Sequence, residues 1–532
     1  MRAPHFLFVI ASIAWLAALS CSPSPRFFDD AGAPDGGVES MPGWRLAWAV
    51  RAGGDEHDDC GSQNYRETGD SVAVSGDGTS YLAGSAAEAA VFGPGDPNET
   101  HFPDEYVDWS DGFVARYAPD GTLGWARRIG GEGEDHATDV VVLDDGSALV
   151  TGWFRSDLIV LGQGEPNETT LTQEFGRTVG FVAEYEPDGE LVWATQIPKA
   201  EETHVYALTV NALPDGRILV SGTLRGTAWP GEPFEVVSET SDSTSEWDAY
   251  LAWFDAQGEV VSAIRIGNDL QIVEHSVVSL EDGSVLAAMP YGYDELFGKG
   301  EPNETILSCP LQEDDYDCAS LARYDAEGKL VWVRDLGVTK NRSWHVQTVG
   351  DGSVAIVGYF RALTDPELNG AELVLGDGEY GVLVAQYDLD DGELEWARPA
   401  KAGENLGPGA GFGITALPEG GFLANVMFGP ELAFVGDDLG QRALVSEGGV
   451  DIAMVRFSAT GEILWMHGMG GEGLELPHGG AQLDGRSIWL TGAYGSDPFV
   501  ATSGHDDDVS LSLDGYTDVF LMRFDTTSPP TE

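Results

Sequence analysis

Positive charge is scarce in this chain of 532 residues. Lysine and arginine together number 27, of which only five are lysine, against 89 aspartate and glutamate residues, and the formal net charge is −62. Such a chain repels nucleic-acid phosphates and anionic lipid headgroups, so we expect no nucleic acid among its partners. The acidity either collects cations or keeps the protein solvated in a salty medium, and we favour solvation.

Long apolar runs are equally rare. The run from Phe6 to Leu19 is short for a membrane span, and with Arg2 and His5 before it the segment has the layout of a secretory signal. It ends in Ala18-Leu19-Ser20-Cys21, which resembles a bacterial lipobox. The resemblance implies cleavage before Cys21 and acylation of that residue.

The expected domain organisation follows from this N-terminus. We expect residues 1–20 to be a lipoprotein signal peptide and residues 21–42 a flexible tether, since the tether is rich in Pro, Gly, Ser and Asp. An Asp directly after Cys21 would resemble an inner-membrane retention signal, but Ser22 stands there. This favours anchoring in the outer membrane of the cell envelope. Residues 43–526 form the folded domain and residues 527–532 a disordered tail.

Cysteine is rare too, with four residues in the chain. Cys21 is the lipidation candidate. Cys309 and Cys318 flank an insertion and are expected to form a disulfide in an oxidising envelope. Cys60, which follows Asp58 and Asp59, has no obvious partner in the sequence.

What the chain does have is a repeat, with seven copies about 68 residues apart. Its marker is a strand of the type Phe-Val-Ala-Arg-Tyr, then a Gly turn and a strand carrying Trp, as from Gly112 to Trp125. The first strand ends at Tyr117, Tyr185, Phe254, Tyr324, Tyr387, Phe457 and Phe524. The second carries Trp48, Trp125, Trp193, Ser262, Trp332, Trp396 and Trp465.

The two series are out of step, and this predicts how the ring closes. Trp48 has no Tyr-type strand before it, and Phe524 has no Trp-type strand after it. A ring in which Leu46 to Val50 completes the sheet begun by Asp518 to Phe524 removes both unpaired edges. Asp-Gly turns, as at Asp145-Gly146, add a second hairpin to each repeat. We therefore predict an all-β, seven-bladed β-propeller of four-stranded antiparallel blades, closed by its N- and C-terminal strands.

The repeat resembles the SBBP-type β-propeller repeats of secreted and lipid-anchored bacterial proteins. The resemblance rests on Asp111 to Tyr117 with Leu123-Gly-Trp125, on the Gly-Gly-Glu-Gly run from Gly130, and on Leu149 to Gly152. It implies the fold and says little about activity. Ala459 to Trp465 is similar to the Trp-docking motif of PQQ-type propellers, but only this repeat carries its Thr-Gly pair, so we discount a quinone cofactor.

Histidine has an uneven distribution that suggests a metal site. Six of the ten histidines fall in the connections between blades or at the start of the innermost strand. They are His57, His136, His204, His275, His345 and His478. Imidazoles with nearby carboxylates suit Zn²⁺ or another divalent transition metal. The competing interpretation is that His simply suits a half-exposed rim, and we favour that one.

A second cation candidate comes from three related insertions. They contain Gly95-Asp-Pro-Asn-Glu-Thr100, Gly164-Glu-Pro-Asn-Glu-Thr169 and Gly300-Glu-Pro-Asn-Glu-Thr305. Each suggests an extra hairpin with Pro-Asn at its tip. Its paired carboxylates are candidate Ca²⁺ ligands. These are Glu165 with Glu168 and Glu301 with Glu304. A decorated turn without metal is the interpretation we favour.

No catalytic motif stands out in the sequence. We therefore expect a monomeric, lipid-anchored propeller without enzymatic activity, acting as a binding or scaffold module for a protein or polysaccharide of unknown identity. One alternative is a scaffold for outer-membrane protein assembly. Another is a metal-dependent hydrolase or lyase at the mouth of the central channel. A scaffold should expose apolar patches on its rim, and an enzyme should show a deep axial pocket.

Overall fold

The protein is described by a computed structural model. It covers residues 41–54, 67–87, 89–103, 109–173, 177–238, 247–270, 276–292, 294–309, 318–339, 342–350, 352–363, 375, 379–404, 412–434, 443–446, 448–502, 508–513 and 517–527. Cys21, His57, Cys60 and His275 lie outside these ranges. Within them the regular structure is entirely β-strand, and no helix is long and apolar enough to span a bilayer.

The strands form a seven-bladed β-propeller, which confirms the predicted fold. Each blade is an antiparallel sheet whose strands, from the channel outward, we name A, B, C and D. Blade 1 contains Thr68–Val74, Ser80–Ala86, Asp111–Tyr117 and Leu123–Ile129. Blade 2 contains Asp135–Val142, Ala148–Phe154, Val179–Tyr185 and Leu191–Gln196. Blade 3 contains His204–Ala212, Ile218–Arg225, Trp247–Phe254 and Val260–Leu270. Blade 4 contains Ser276–Ser279, Val285–Tyr291, Cys318–Tyr324 and Leu330–Thr339.

The remaining blades follow the same order. Blade 5 contains Arg342–Val349, Ser353–Phe360, Glu379–Asp388 and Leu394–Glu404. Blade 6 contains Phe412–Ala416, Phe422–Phe428, Asp451–Phe457 and Ile463–Met469. Blade 7 contains Glu475–Leu483, Ser487–Tyr494 and Asp518–Thr526 from the C-terminal part of the chain, and Trp44–Gly53 from the N-terminal part as strand D.

The two ends of the chain close the ring, as the sequence predicts. Strand D of blade 7 pairs with strand C from Trp44 opposite Thr526 to Ala52 opposite Val519, with one register shift between Leu46 and Trp48. The N-terminal strand therefore supplies the outer edge of the last blade.

Tryptophan and turn glycine join neighbouring blades. Trp48, in strand D of blade 7, donates from Nε1 to the carbonyl of Pro119 in the CD turn of blade 1 at 3.0 Å. Trp125 donates in the same way to Pro187 of blade 2 at 3.0 Å. Gly121, with a φ of +86°, lies so close to the Trp48 ring that a Cβ there would be 2.9 Å from it. The repeated tryptophans therefore pack between blades.

The insertions between strands B and C are short hairpins. Their strands are Val91–Phe92 with Thr100–His101, Leu158–Leu161 with Thr169–Thr172, Thr227–Ala228 with Val236–Val237, Asp294–Phe297 with Thr305–Ser308, Glu431–Phe434 with Ala443–Val445, and Phe499–Ala501 with Val509–Leu511. In the described part of the blade 5 insertion there is the single strand Ala362–Leu363. In blades 1, 5 and 6 the insertion pairs with strand D of the preceding blade. The insertions thus tie blades together on one face of the ring, where strand A begins and strand B ends. We call this the insertion face.

Candidate functional site

Four basic side chains gather on the insertion face of blades 2 and 3. Arg155 follows strand B of blade 2, and Arg225 ends strand B of blade 3. Arg177 precedes strand C of blade 2, and Lys199 lies in the connection between the two blades. All four charges act on the ring of His204, which begins strand A of blade 3. We call Arg155, Arg177, Lys199 and Arg225 the cationic cluster.

A continuous series of aromatic rings supports the cationic cluster. His136 stacks on Trp153 with ring centroids 4.4 Å apart, and Trp153 meets Tyr206 edge to face at 5.2 Å. Tyr206 meets Trp247 at 5.2 Å, and Trp247 meets His204 at 6.0 Å. The three larger rings are buried, so the series fixes the positions of the polar groups above it.

Two of the arginines lie over these rings. The guanidinium carbon of Arg155 is 5.0 Å from the centre of the Trp153 ring, and that of Arg225 is 5.2 Å from the centre of Trp247. Arg155 also donates to the hydroxyl of Tyr206 at 2.7 Å and forms an ion pair with Glu134. Cation–π contact and hydrogen bonding therefore hold the guanidinium groups in fixed positions.

His204 is a neutral acceptor in this structure. Nη1 of Arg177 lies 3.0 Å from Nε2 of His204. Because a guanidinium only donates, Nε2 accepts this bond, and the backbone amide of Thr178 faces Nδ1 at 3.3 Å. Burial, together with the charges of Arg225, Arg177, Arg155 and Lys199, lowers the pKa of His204 to about 3. The lone pair that a metal would need points at Arg177.

Basic side chains lie close together here although the protein is strongly negative. Burial lowers the pKa of the Arg225 guanidinium, and the charge of Arg177 adds to this effect. Glu134 pairs with Arg155 and Glu202 pairs with Arg177. A set of cations held close together is suited to receiving an anion.

Glu202 reaches Arg177 from the solvent side. It sits in the connection between blades 2 and 3 with a φ of +64°, which is unusual for a residue with a side chain. Its carboxylate accepts a hydrogen bond from Nη2 of Arg177 while its side chain stays 78% exposed. The neighbouring Nε of Arg177 is buried and has no hydrogen-bond partner.

The predicted histidine site is only partly brought together. His136 and His204 lie beside the cationic cluster, whereas His345 and His478 belong to strand A of blades 5 and 7. Burial lowers the pKa of His345 to about 4 and also lowers the pKa of His478, where Asp70 acts in the opposite direction. His57 and His275 lie outside the described residues. Among the residues that are described, no three His, Cys, Asp or Glu side chains form a group able to hold a metal.

The acidic insertion strings have carboxylates that bind the protein's own backbone. Glu165 accepts from the Leu191 amide at 2.6 Å and Glu168 from the Gly164 amide at 2.7 Å. Glu301 and Glu304 repeat these bonds with Leu330 and Gly300 at 2.7 Å and 2.6 Å. A fourth copy is visible in blade 3, where Glu235 accepts from Gly231 at 2.5 Å. Each string thus caps its hairpin tip, and three of them also cap the start of strand D, since Asp96 of the first string accepts from the Leu123 amide at 2.7 Å.

The sequence predicts the Cys309–Cys318 disulfide but does not predict the cationic cluster. Cys309 and Cys318 are joined by a disulfide with a Cα–Cα distance of 5.7 Å. Sequence reasoning missed the cationic cluster. One sequence pattern could have indicated it. An arginine follows three residues after the glycine of strand B in Gly152 to Arg155 and in Gly222 to Arg225, although arginine is uncommon in this chain.

No protein-family model and no curated protein matches this chain. Similar solved structures include puromycin hydrolase, at 12% identity and a TM-score of 0.42, with 88% of this chain and 55% of that chain covered. Another is prolyl oligopeptidase B from Galerina marginata, at 10% identity and 0.39, covering 85% and 51%. A third is a protein of unknown function from Dyadobacter fermentans, at 12% identity and 0.38, covering 91% and 100%. The chain spans about half the length of the first two.

The expectation that the chain lacks enzymatic activity is wrong, because chains similar to it in structure include hydrolases, puromycin hydrolase and prolyl oligopeptidase among them. The propeller architecture therefore gives no ground for excluding catalysis. The likenesses bear on the fold alone, and none of these activities is transferred to this chain.

Proposed function

We propose that this protein is a lipid-anchored β-propeller of the bacterial cell envelope that binds an anionic ligand on its insertion face. The observation that carries the proposal is the cationic cluster. Arg155, Arg177, Lys199 and Arg225 all act on His204, in a chain with a net charge of −62. Like charges held close together repel one another, and a bound anion reduces that repulsion.

The surrounding charge makes the cluster selective. Away from it the acidic surface repels anions, so a negative ligand is held only where positive charge dominates locally. The guanidinium groups are already oriented by Trp153, Trp247 and Tyr206, so binding an anion costs little ordering of side chains. Both properties favour a specific ligand site over general charge attraction.

The exposed residues of the insertions favour binding of a ligand over docking of a partner protein on an apolar surface. Leu158, Val237, Ile306 and Val445 are about half or more exposed, one on each of four insertions. They belong to separate blades, and single exposed aliphatic residues are common on protein surfaces. An outer-membrane assembly scaffold would need a contiguous apolar surface, and the described residues of the insertions do not favour that alternative.

The anchor in this proposal is Cys21, from the lipobox-like Ala18-Leu19-Ser20-Cys21. The resemblance to SBBP-type repeat proteins points to the same compartment. Replacing Cys21 by Ser should release the protein from the membrane fraction after cell lysis. Unchanged membrane association of Cys21→Ser would refute the anchor and leave the ligand site to be judged separately.

Binding is tested by titrating the full chain in detergent with three anionic probes in a calorimeter. The probes are trigalacturonate, dextran sulfate and polyphosphate, each in low salt, where surface electrostatics is strongest. We expect at least one probe to bind, and the Arg225→Gln variant to bind it about tenfold more weakly. Arg361→Gln is the matched control, because Arg361 follows strand B of blade 5 and lies over Tyr380 at 4.2 Å. If no probe binds, the proposal fails.

A further inference from the structure

We infer that the cationic cluster binds the carboxylate of an acidic sugar residue, in the position that Glu202 now occupies on Arg177. This inference rests on the proposed anion binding and names the class of anion. Glu202 already places a carboxylate against Arg177 from the solvent side. Its exposed side chain can move away without opening the protein core.

The hydrogen bonds of Arg177 show what a ligand would gain. Nη1 is committed to His204, and Glu202 accepts only from Nη2. Nε, on the same edge of the guanidinium as Nη2, has no hydrogen-bond partner. A carboxylate bound side-on to this edge accepts from both nitrogens, which is the strongest arrangement an arginine offers. Glu202 is therefore a weaker occupant than a free carboxylate that fits both donors.

The backbone at Glu202 limits how well that residue can compete. Its φ of +64° is a conformation that side-chain-bearing residues rarely adopt and that costs free energy. A ligand that displaces Glu202 allows this connection to relax. Because Glu202 keeps its charge nearby after it is displaced, a ligand with one negative charge meets less repulsion than a phosphate dianion.

The surroundings favour a polar carrier for this carboxylate. Trp153 is 9% exposed and Trp247 is 2% exposed, so the site offers little apolar surface to a fatty or aromatic acid. The accessible groups are guanidinium, ammonium, imidazole and carboxylate, which suit hydroxyl groups. The net charge of −62 also disfavours a dense polyanion, whose remaining charges would face acidic surface. A uronic acid within a glycan combines one carboxylate per sugar with hydroxyl groups.

The test compares trigalacturonate with its fully methyl-esterified form, using the full chain in detergent and calorimetry. We expect the acid to bind and the neutral ester to bind at least about tenfold more weakly. Glu202→Gln should tighten trigalacturonate binding by about threefold or more, because the competing charge is removed. Arg177→Gln should weaken it by at least about tenfold, and Arg361→Gln should leave it unchanged.

Two further measurements separate the possible failures. Arg177→Lys keeps the charge but lacks the two-nitrogen edge, so it should weaken trigalacturonate binding, and it serves if Arg177→Gln does not fold. Equal binding of acid and ester, or no gain with Glu202→Gln, would overturn the inference. Binding of dextran sulfate or polyphosphate without trigalacturonate would overturn it while leaving the proposed anion binding intact. Binding of none of these probes would refute both.

Discussion

Trp253 lies directly opposite Ser262 across strands C and D of blade 3. At other junctions between blades, a tryptophan in strand D of one blade contacts the glycine in the CD turn of the next blade. Trp193 of blade 2 contacts Gly258 of blade 3 in this way. Blade 3 has Ser262 at that place. A Cβ on Gly328 of blade 4 would instead be 2.9 Å from the Trp253 ring. The neighbouring strand therefore supplies the tryptophan that strand D lacks.

This relationship predicts that a tryptophan at position 262 can compensate for the loss of Trp253. Trp253→Ala should lower stability by about 3–5 kcal/mol, since it removes a fully buried ring between two blades. Adding Ser262→Trp to Trp253→Ala should restore much of the loss, because the new ring occupies the position used in the other blades. The measurement is the midpoint of chemical unfolding of the two variants and of Ser262→Trp alone. A double variant no more stable than Trp253→Ala would contradict the exchange.

Much of the fold was predictable because the repeat carries it. The Tyr-type and Trp-type series gave the number of blades and the closing strand, and the Asp-Gly turns gave the hairpins. The compensation by Trp253 was not predictable, since a single Ser262 in the series does not reveal which neighbour fills the space. Pairing of the insertions with the preceding strand D was also hidden, because it depends on contacts between blades.

The candidate site was much less predictable. The clustering of histidines in the sequence suggested a metal site, whereas His204 lies among guanidinium groups. The cluster joins Arg155, Arg177 and Arg225 from two blades, and their spacing in sequence does not show that they meet. The acidic insertion strings were visible as turns, yet their use as caps depends on backbone amides that no sequence pattern displays.

Ring closure gives a second prediction. Deleting residues 46–50 removes the middle of strand D of blade 7 and leaves strand C with unpaired backbone groups over that length. Deleting residues 22–38, which lie before the described residues, is the matched control. We expect the first deletion to lower the melting temperature by more than about 5 °C and the control to change it by less than about 2 °C. Equal melting temperatures for the two deletions would rule out closure by the N-terminal strand.

The insertion strings give a third prediction, which also separates capping from calcium binding. Glu301 accepts from the amide of Leu330, and Glu304 accepts from the amide of Gly300. Glu301→Ala should lower stability by about 1 kcal/mol, because it removes an acceptor that caps strand D. Since both carboxylates are used by the backbone, we expect neither EDTA nor added Ca²⁺ to change the melting temperature. A stabilisation by Ca²⁺ that Glu301→Ala abolishes would instead support the calcium site.

The junction between blades 6 and 7 lacks an arginine that is present at the junction between blades 1 and 2. In blade 1, Arg128 forms an ion pair with the buried Asp111, which lies near the buried Asp135 of blade 2. In blade 6 the corresponding carboxylate is Asp451, near Glu475 of blade 7, and the position of Arg128 is taken by Gly468. The buried carboxyl groups of Asp451 and Glu475 therefore lie near each other, and no arginine occupies the position that corresponds to Arg128.

The consequence is a raised pKa at Glu475. Burial and the charge of Asp451 raise the pKa of Glu475 to about 8, although hydrogen bonds from Ser496 and Gly471 act in the opposite direction. The folded protein therefore holds a proton that the unfolded chain releases near pH 4.5. Stability is then highest below that pH and falls as the pH rises from about 4.5 to about 8, because the unfolded state binds fewer protons than the folded state.

Supplying the missing arginine should reduce this dependence on pH. A Cβ on Gly468 would lie 3.8 Å from its nearest neighbour, Leu444, so a side chain can start there without a clash. Gly468→Arg should narrow the difference in melting temperature between pH 5.5 and pH 8.5 by at least about 2 °C, and Glu475→Gln should do the same by removing the charge. Gly468→Ala is the control, and it should leave the difference unchanged. If Gly468→Ala narrows the difference as much as Gly468→Arg does, then packing rather than charge limits the stability of this junction.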